Sequence, residues 1–215
     1  MDASSLPKQA AAWSSDFGNA YVTRNPQSIE EIEQLYAKDY AVSRRSMNEA
    51  FLGSLDRSIR ILEVGANIGS QLELLRQMGF TNSIGVDVNA FAVQESKRLY
   101  PEVKVIEGSA FALPFADGEF DLTYMSGVLI HISPDDMGRA MDELHRTTKK
   151  YIWGFEYYAP ELVTLEYRGN QDLLWKRDFC QEYLKRFPDL KLVKEQKYPM
   201  TDGKNVSQMF LLEKA

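Results

Sequence analysis

The ten residues Ile61-Leu62-Glu63-Val64-Gly65-Ala66-Asn67-Ile68-Gly69-Ser70 constrain this chain more than any others. An apolar run leads into an acid and a glycine, and a second glycine then opens an amphipathic stretch. This order predicts a buried strand, a tight turn and a helix start, the place where an α/β sheet holds a nucleotide-like ligand. Gly65 supplies a backbone conformation closed to other residues, and Gly69 permits close approach of helix to strand. Asn67 tolerates positive φ better than most side chains, so the turn survives without a middle glycine. A nicotinamide-type turn of the form G-x-G-x-x-G does not fit, because Asn67 and Ser70 occupy two of its glycine positions.

The rest of the chain falls into line with that turn. Strands are expected over 61–64, 83–88, 103–106, 120–125 and 151–155. Helices over 71–78, 91–99 and 134–146 alternate with them, which implies a mainly parallel sheet covered on both faces. One helix is expected over 173–187, followed by two final strands over 190–197 and 207–213. Residues 28–53 carry helical spacing, with Ser28 and Glu31 forming a capping box.

Three further blocks suit the same ligand. Asp87 ends the second strand about 20 residues beyond the glycine turn, where an acid accepts hydrogen bonds from both ribose hydroxyls. The alternative is a helix cap, a role Asn89 also fits. Ser109-Ala110-Phe111 follows the third strand; Phe111 either packs on a ligand ring or joins the core. Phe120 to His131 forms the fourth strand and its loop, placing Ser126 and Gly127 at a carboxyl end. Together these blocks resemble the class I S-adenosylmethionine-dependent methyltransferases. The resemblance implies a Rossmann-like fold with seven mostly parallel strands and an antiparallel C-terminal hairpin. It also implies S-adenosylmethionine as cofactor, held by Glu63, Gly65, Ala66, Asn67, Gly69, Asp87, Val88, Ser109, Ala110, Phe111, Ser126 and Gly127. Ser109 departs from the family, which usually has an Asp there for the adenine amino group; a neutral hydroxyl accepts more weakly.

The ends of the chain are more specific. The stretch from Trp13 to Asn25 and the blocks Glu156–Pro160, Glu166–Gly169 and Leu174–Phe179 resemble the pseudaminic acid biosynthesis-associated methylases. Trp13, Phe17 and Tyr21 recur at helical spacing and form one aromatic stripe. Tyr21 and Arg24 are candidate cofactor contacts, Arg24 as a bidentate partner for the methionine carboxylate. Glu156, Tyr158, Tyr167 and Arg168 are candidate acceptor contacts, suited to a polar molecule. His131 and Tyr157 are the candidates for handling the acceptor proton; the alternative for His131 is to brace the loop. His145 is expected at a solvated surface. The expected organisation is a helical cover over 1–55 and a cofactor-binding domain over 56–215, with an insertion at 156–180.

Composition bounds the partners. A formal net charge of −6 gives no general pull toward nucleic acid or anionic membranes. The single cysteine, Cys180, permits no internal disulfide and reads as a structural thiol. No metal-ligand cluster, secretory leader or membrane-length apolar run is visible, so a cytoplasmic protein is expected. The expected reaction is methyl transfer to oxygen or nitrogen of a small polar metabolite, sugar-like or amino-acid-like. Rivals are other S-adenosylmethionine chemistry on the same fold, such as cyclisation or aminocarboxypropyl transfer, and a non-catalytic cofactor-binding partner protein.

Overall fold

The computed structural model describes residues 7–215. Its centre is β1 (Ile61–Val64), buried at every residue. A strand buried on both faces belongs inside a parallel sheet. β1 pairs in parallel with β2 (Ser83–Asp87), and β2 with β3 (Lys104–Glu107). On its other side β1 pairs in parallel with β4 (Phe120–Ser126), and β4 with β5 (Thr148–Tyr157). The next two strands, β6 (Val163–Tyr167) and β7 (Asn170–Lys176), form a separate antiparallel hairpin. β8 (Leu190–Pro199) and β9 (Val206–Lys214) then complete the main sheet antiparallel, in the order β3-β2-β1-β4-β5-β9-β8. This is the seven-stranded, mostly parallel sheet with a C-terminal hairpin that the sequence predicts.

Successive residues of β1 feed opposite cores, as the two-residue strand period requires. Ile61 packs with α4 (Arg44–Leu52), α5 (Ser70–Gln77) and α6 (Ala90–Leu99), through Phe51, Leu72 and Ala92 among others. Leu62 and Val64 pack with α7 (Pro134–Thr147) and α8 (Phe179–Arg186), through Leu144, Phe179 and Tyr183. Before the sheet lie α1 (Lys8–Trp13), α2 (Asp16–Arg24) and α3 (Ile29–Tyr40). Among the described residues no helix is long and apolar enough to cross a membrane.

Several local expectations change. The helical stretch over 28–53 breaks where Ala41 turns left-handed (φ 57°), giving α3 and α4. The capping box at its start forms: Ser28 Oγ accepts from Glu31 N, and Glu31 accepts from Ser28 N. The helix expected over 173–187 starts only at Phe179, capped by Asp178, because β7 pairs with β6 up to Lys176. The β6–β7 turn has positive φ at both Arg168 (52°) and Gly169 (76°), the geometry of a two-residue hairpin. The aromatic stripe crosses a helix break at Ser14–Ser15, yet Trp13 still meets Phe17 and Tyr21 at 5.2 Å each. His145 is not solvated: it stacks on Phe187 at 4.1 Å and pairs with Asp189 at 2.9 Å. Cys180 is fully buried, which pushes its thiol up to about 12 and leaves it inert.

Two features of the antiparallel half matter later. β8 is an edge strand with Leu192 45% and Val193 50% exposed, and its register shifts between Leu192 and Lys194. Gly154 of β5 sits opposite Phe210 of β9, where an added Cβ would stand 2.2 Å from the Phe210 ring. Phe210 is itself fully buried and has no room to yield. Gly154→Ala should therefore overpack the core and cost about 1–3 kcal/mol. Urea unfolding of parent and variant checks this; an unchanged midpoint refutes the packing argument.

Candidate active site

The chain leaves β1 toward β2 and β3 on one side and reaches β4 and β5 on the other, so strand order reverses between β1 and β4. A crevice opens at the carboxyl ends of such strands. Here it is a cavity of about 300 Å³. Its floor comes from the strand ends and its roof from α1, α2 and α3, through Ala10, Trp13, Tyr21, Ile32 and Tyr36.

The glycine turn has the predicted backbone. Gly65 (φ 76°), Asn67 (φ 49°) and Gly69 (φ 79°) all lie in the left-handed region. Gly65 must lack a side chain for a second reason: a Cβ would stand 2.4 Å from Val128 on the loop after β4. Gly65 N and Ala66 N donate to Val86 O, at 2.8 and 3.0 Å. Asp87 ties the turn down. Its Oδ2 accepts from Asn67 N at 2.7 Å and its Oδ1 from Asn89 N at 2.8 Å. Burial raises the Asp87 pKa, opposed by these backbone donors. Asn89, not Asp87, caps α6, accepting from Ala92 N.

Of the expected cofactor residues, Tyr21, Glu63, Gly65, Ala66, Asn67, Asp87, Val88, Ser109, Ala110, Phe111, Ser126 and Gly127 line the cavity. Gly69 lies just behind it, close to Ser96, Val103 and Val105. Ser109 Oγ accepts from Phe111 N at 3.2 Å, bracing the turn beside the cavity. Arg24 is displaced: it is exposed, lies over the Tyr21 ring at 5.3 Å, and faces a separate shallow groove. One helical turn past Tyr21, its side chain leaves α2 toward solvent.

The cation inside the fold is Arg44, which the sequence reading overlooked. It is 1% exposed, and its guanidinium donates to Gln71 Oε1 (3.2 Å), Tyr36 OH (3.3 Å) and Ser126 Oγ (3.1 Å). All three partners are neutral, and all three residues line the cavity. The guanidinium also stacks over Phe155 at 4.4 Å. Nearby, Glu63 Oε2 and Gln71 Nε2 are buried without a partner among the described residues. Burial pushes the Glu63 carboxyl up to about 8, opposed first by the Tyr124 phenol and then by Arg44.

His131 lines the cavity under the Trp13 indole, with ring centroids 4.6 Å apart, and beside Tyr167 at 5.1 Å. Its Nδ1 lies 2.6 Å from Leu173 O, so Nδ1 carries the proton and donates. Burial lowers its pKa to about 4, so the ring is neutral with its lone pair on Nε2. The β6–β7 hairpin thereby braces His131 from one side and the N-terminal helices from the other.

Glu156, expected against the acceptor, points elsewhere. It is 1% exposed, and its carboxylate accepts from Val128 N (3.1 Å), Leu129 N (3.1 Å) and Ile130 N (3.4 Å). These three consecutive amides tie it to the loop that carries His131, and it does not line the cavity. Tyr157 stands outside the cavity wall, half-buried beside the Lys176 ammonium at 5.5 Å. Its phenol is raised by burial and by the neighbouring Tyr36 and Tyr167. Tyr158 lies under Lys197 at 4.0 Å, and Arg168 is exposed at the hairpin tip. Of the expected acceptor residues, only Tyr167 reaches the cavity's edge, through Trp13 and His131.

Burial raises Glu156 to about 7 and Glu63 to about 8 from an ordinary 4.5. Between pH 4.5 and 8 the folded protein thus holds protons that the unfolded chain has released, so stability falls as pH rises through this window. Glu63→Gln should flatten that fall, recovering about 3–4 kcal/mol at pH 8 relative to pH 5. Glu156→Ala should lose on the order of 3 kcal/mol, because three buried amides lose their acceptor. Denaturant titrations at pH 5 and pH 8 check both; a slope unchanged by Glu63→Gln counts against the first.

Residues 62–151 match the family model of a methyltransferase domain. Over 42% of the chain, the sequence is 33% identical to a demethylmenaquinone methyltransferase of Beutenbergia cavernae, 36% of whose length is matched. The chain spans less than half the length of the curated relatives it matches. The fold resembles 1,6-didemethyltoxoflavin-N1-methyltransferase of Burkholderia thailandensis with bound 1,6-didemethyltoxoflavin and S-adenosylhomocysteine. That match has a TM-score of 0.65 and 16% identity, covering 93% of this chain and 89% of that one. It also resembles magnesium protoporphyrin IX methyltransferase of Synechocystis with bound S-adenosylhomocysteine. Here the TM-score is 0.69 and the identity 12%, covering 95% and 97% of the two chains. The chain therefore has the Rossmann-like fold of class I methyltransferases, with the methyltransferase-domain match centred on the strands that build the cavity.

Proposed function

We propose that this chain transfers a methyl group from S-adenosylmethionine to oxygen or nitrogen of a small polar metabolite. The observation that carries the reading is Asp87 lining the cavity, on the same loop system as the left-handed turn Gly65–Gly69. Asp87 binds the ribose hydroxyls, and Ser109, Ala110 and Phe111 border the adenine. Val88, Gly65, Ala66, Asn67 and Gly127 shape the wall along the nucleoside, and Gly69 lets α5 approach it. The orphaned Glu63 Oε2 and Gln71 Nε2 fit a ligand with a zwitterionic end. Glu63 takes the ammonium, and the carboxylate lies against Tyr36, Gln71 and Ser126, the residues that Arg44 polarises.

The cofactor supplies an already electrophilic methyl carbon. When bound, it would leave as the neutral thioether once its methyl is transferred, and the acceptor would release its proton to solvent. The protein's part is alignment and exclusion of water, which the N-terminal helices provide by roofing the cavity. The neutral His131 is a weak base but a good acceptor, so it orients an acceptor hydroxyl or amine through Nε2. The aromatic lining of Trp13, Tyr21, Tyr36 and His131 favours a second reading, a planar ring acceptor. Several curated relatives carry quinone names that agree with it.

Calorimetric titration with S-adenosylhomocysteine tests the cofactor, with NAD as control. Binding is expected for the first only. Asp87→Asn should weaken it about 10–100-fold, as the loss of charge-assisted hydrogen bonds predicts. Arg44→Met should weaken S-adenosylhomocysteine binding about tenfold while barely affecting 5′-methylthioadenosine, which lacks the amino-acid end. Absence of binding by folded protein would sink the reading. Incubation with candidate sugars and quinols, read by a gain of methyl mass, separates the two acceptor classes.

A further inference from the structure

Asn89 lies two residues beyond Asp87 and is 4% exposed. All its side-chain polar atoms and its amide are engaged. Its N–H donates to Asp87 Oδ1 at 2.8 Å, and its Oδ1 accepts from Ala92 N at 2.9 Å. These two bonds are local. Its Nδ2 instead reaches across the molecule, donating to Trp13 O at 2.9 Å and Asn19 Oδ1 at 3.0 Å. Both acceptors belong to the strap formed by α1 and α2, one on each side of the break between them. Gly18 of α2 is pressed onto the same point. A Cβ there would stand 1.9 Å from Trp13 O and 2.6 Å from Asn89 Nδ2.

The strap residue held this way is the one that covers the far end of the cavity. The Trp13 indole rests on His131 at 4.6 Å and contacts Tyr21 at 5.2 Å. A continuous series of contacts thus runs from Asp87 through Asn89 and Trp13 to His131. We infer that Asn89 is a positioning residue that docks the α1–α2 strap onto the loop of Asp87, so that a nucleoside at Asp87 and the roof over His131 are assembled together. This rests on the reading of Asp87 as the ribose carboxylate. A ribose on Asp87 fixes the 87–89 loop and so the direction of Asn89 Nδ2. The ordering cost of the strap is then already met when the acceptor arrives. Reciprocity requires that a docked strap also tighten nucleoside binding.

Hydrogen exchange of residues 8–24 in the full chain tests this, using S-adenosylhomocysteine, 5′-methylthioadenosine and homocysteine as probes. The two nucleosides should slow exchange of the strap by about tenfold, within the usual range of coupling; homocysteine, which has no ribose, should not. Asn89→Asp retains the cap of α6 but loses both donors to the strap. Asn89→Ser does the same without adding a charge. Both variants should still bind S-adenosylhomocysteine, about tenfold more weakly at most. They should lose the ligand-induced slowing at 8–24 while α6 exchanges as in the parent. A merely structural asparagine would instead leave the nucleoside response intact. The inference is overturned if the variants' straps slow like the parent's, or if the parent binds S-adenosylhomocysteine with no change at 8–24. Failure of the folded parent to bind either nucleoside overturns the function proposed above, and the inference with it.

Discussion

The carboxylate of Asp87 holds two otherwise unsatisfied backbone amides, one on each side of β2. Asn67 N belongs to a left-handed turn, where the chain cannot continue a strand ladder, and Asn89 N stands at the start of α6. A buried acid is costly unless such donors meet it, and a buried amide is costly unless an acceptor meets it. One side chain resolves both problems. The geometry of β1, its turn and the next helix start therefore depends on a group that also faces the cavity. Folding and ligand recognition share the same two oxygens, so the site is preorganised by the requirements of the chain itself.

The parts that could be read from the sequence are those fixed by local chemistry. The turn at Gly65–Gly69, the acid at the end of β2 and the caps at Ser28 and Asn89 each follow from residues within a few positions. The parallel sheet followed from strand and helix alternation. What was not legible depends on distant partners. Arg44 looks like any helical arginine until α4 packs against Trp153 and Phe155 and its charge is enclosed. Arg24 seemed suited to the site because it follows Tyr21 by one helical turn, and it does lie over that ring, but its side chain is exposed and faces a separate groove outside the cavity. Glu156 carries the right chemistry for an acceptor contact, yet the loop after β4 claims it first. The β6–β7 hairpin was hidden because Arg-Gly is a weaker turn signal than Asn-Gly, while Leu173 to Phe187 shows apparent helical spacing. Only pairing with Val163–Tyr167 decides that stretch.

Buried ionisable groups are distributed unevenly around the cavity. The sheet side holds the carboxyls of Glu63 and Asp87 and the enclosed Arg44, whereas the roof offers rings and phenols. The separation suits a ligand that is charged at one end and flat or weakly polar at the other. His131 completes the neutral side, because its Nδ1 proton is committed to Leu173 O and burial keeps the second nitrogen unprotonated. Such a surface selects by shape and hydrogen bonding rather than by attraction between net charges.

The open edge of the sheet has its own consequence. β8 exposes Leu192 and Val193, an apolar pair that could template another strand. The register slip at that point makes Val193 a bulge, and Lys191, Lys194 and Lys197 place positive charge along the same edge. Lys194 also reaches the end of α4, its ammonium donating to Ala50 O at 2.6 Å. A bulge and repeated like charges are among the means by which natural sheets discourage intermolecular strand addition. Colloidal behaviour at high concentration is thus governed at a margin far from the cavity, and exchange of those lysines for threonine or valine would favour fibrillar association without touching the chemistry.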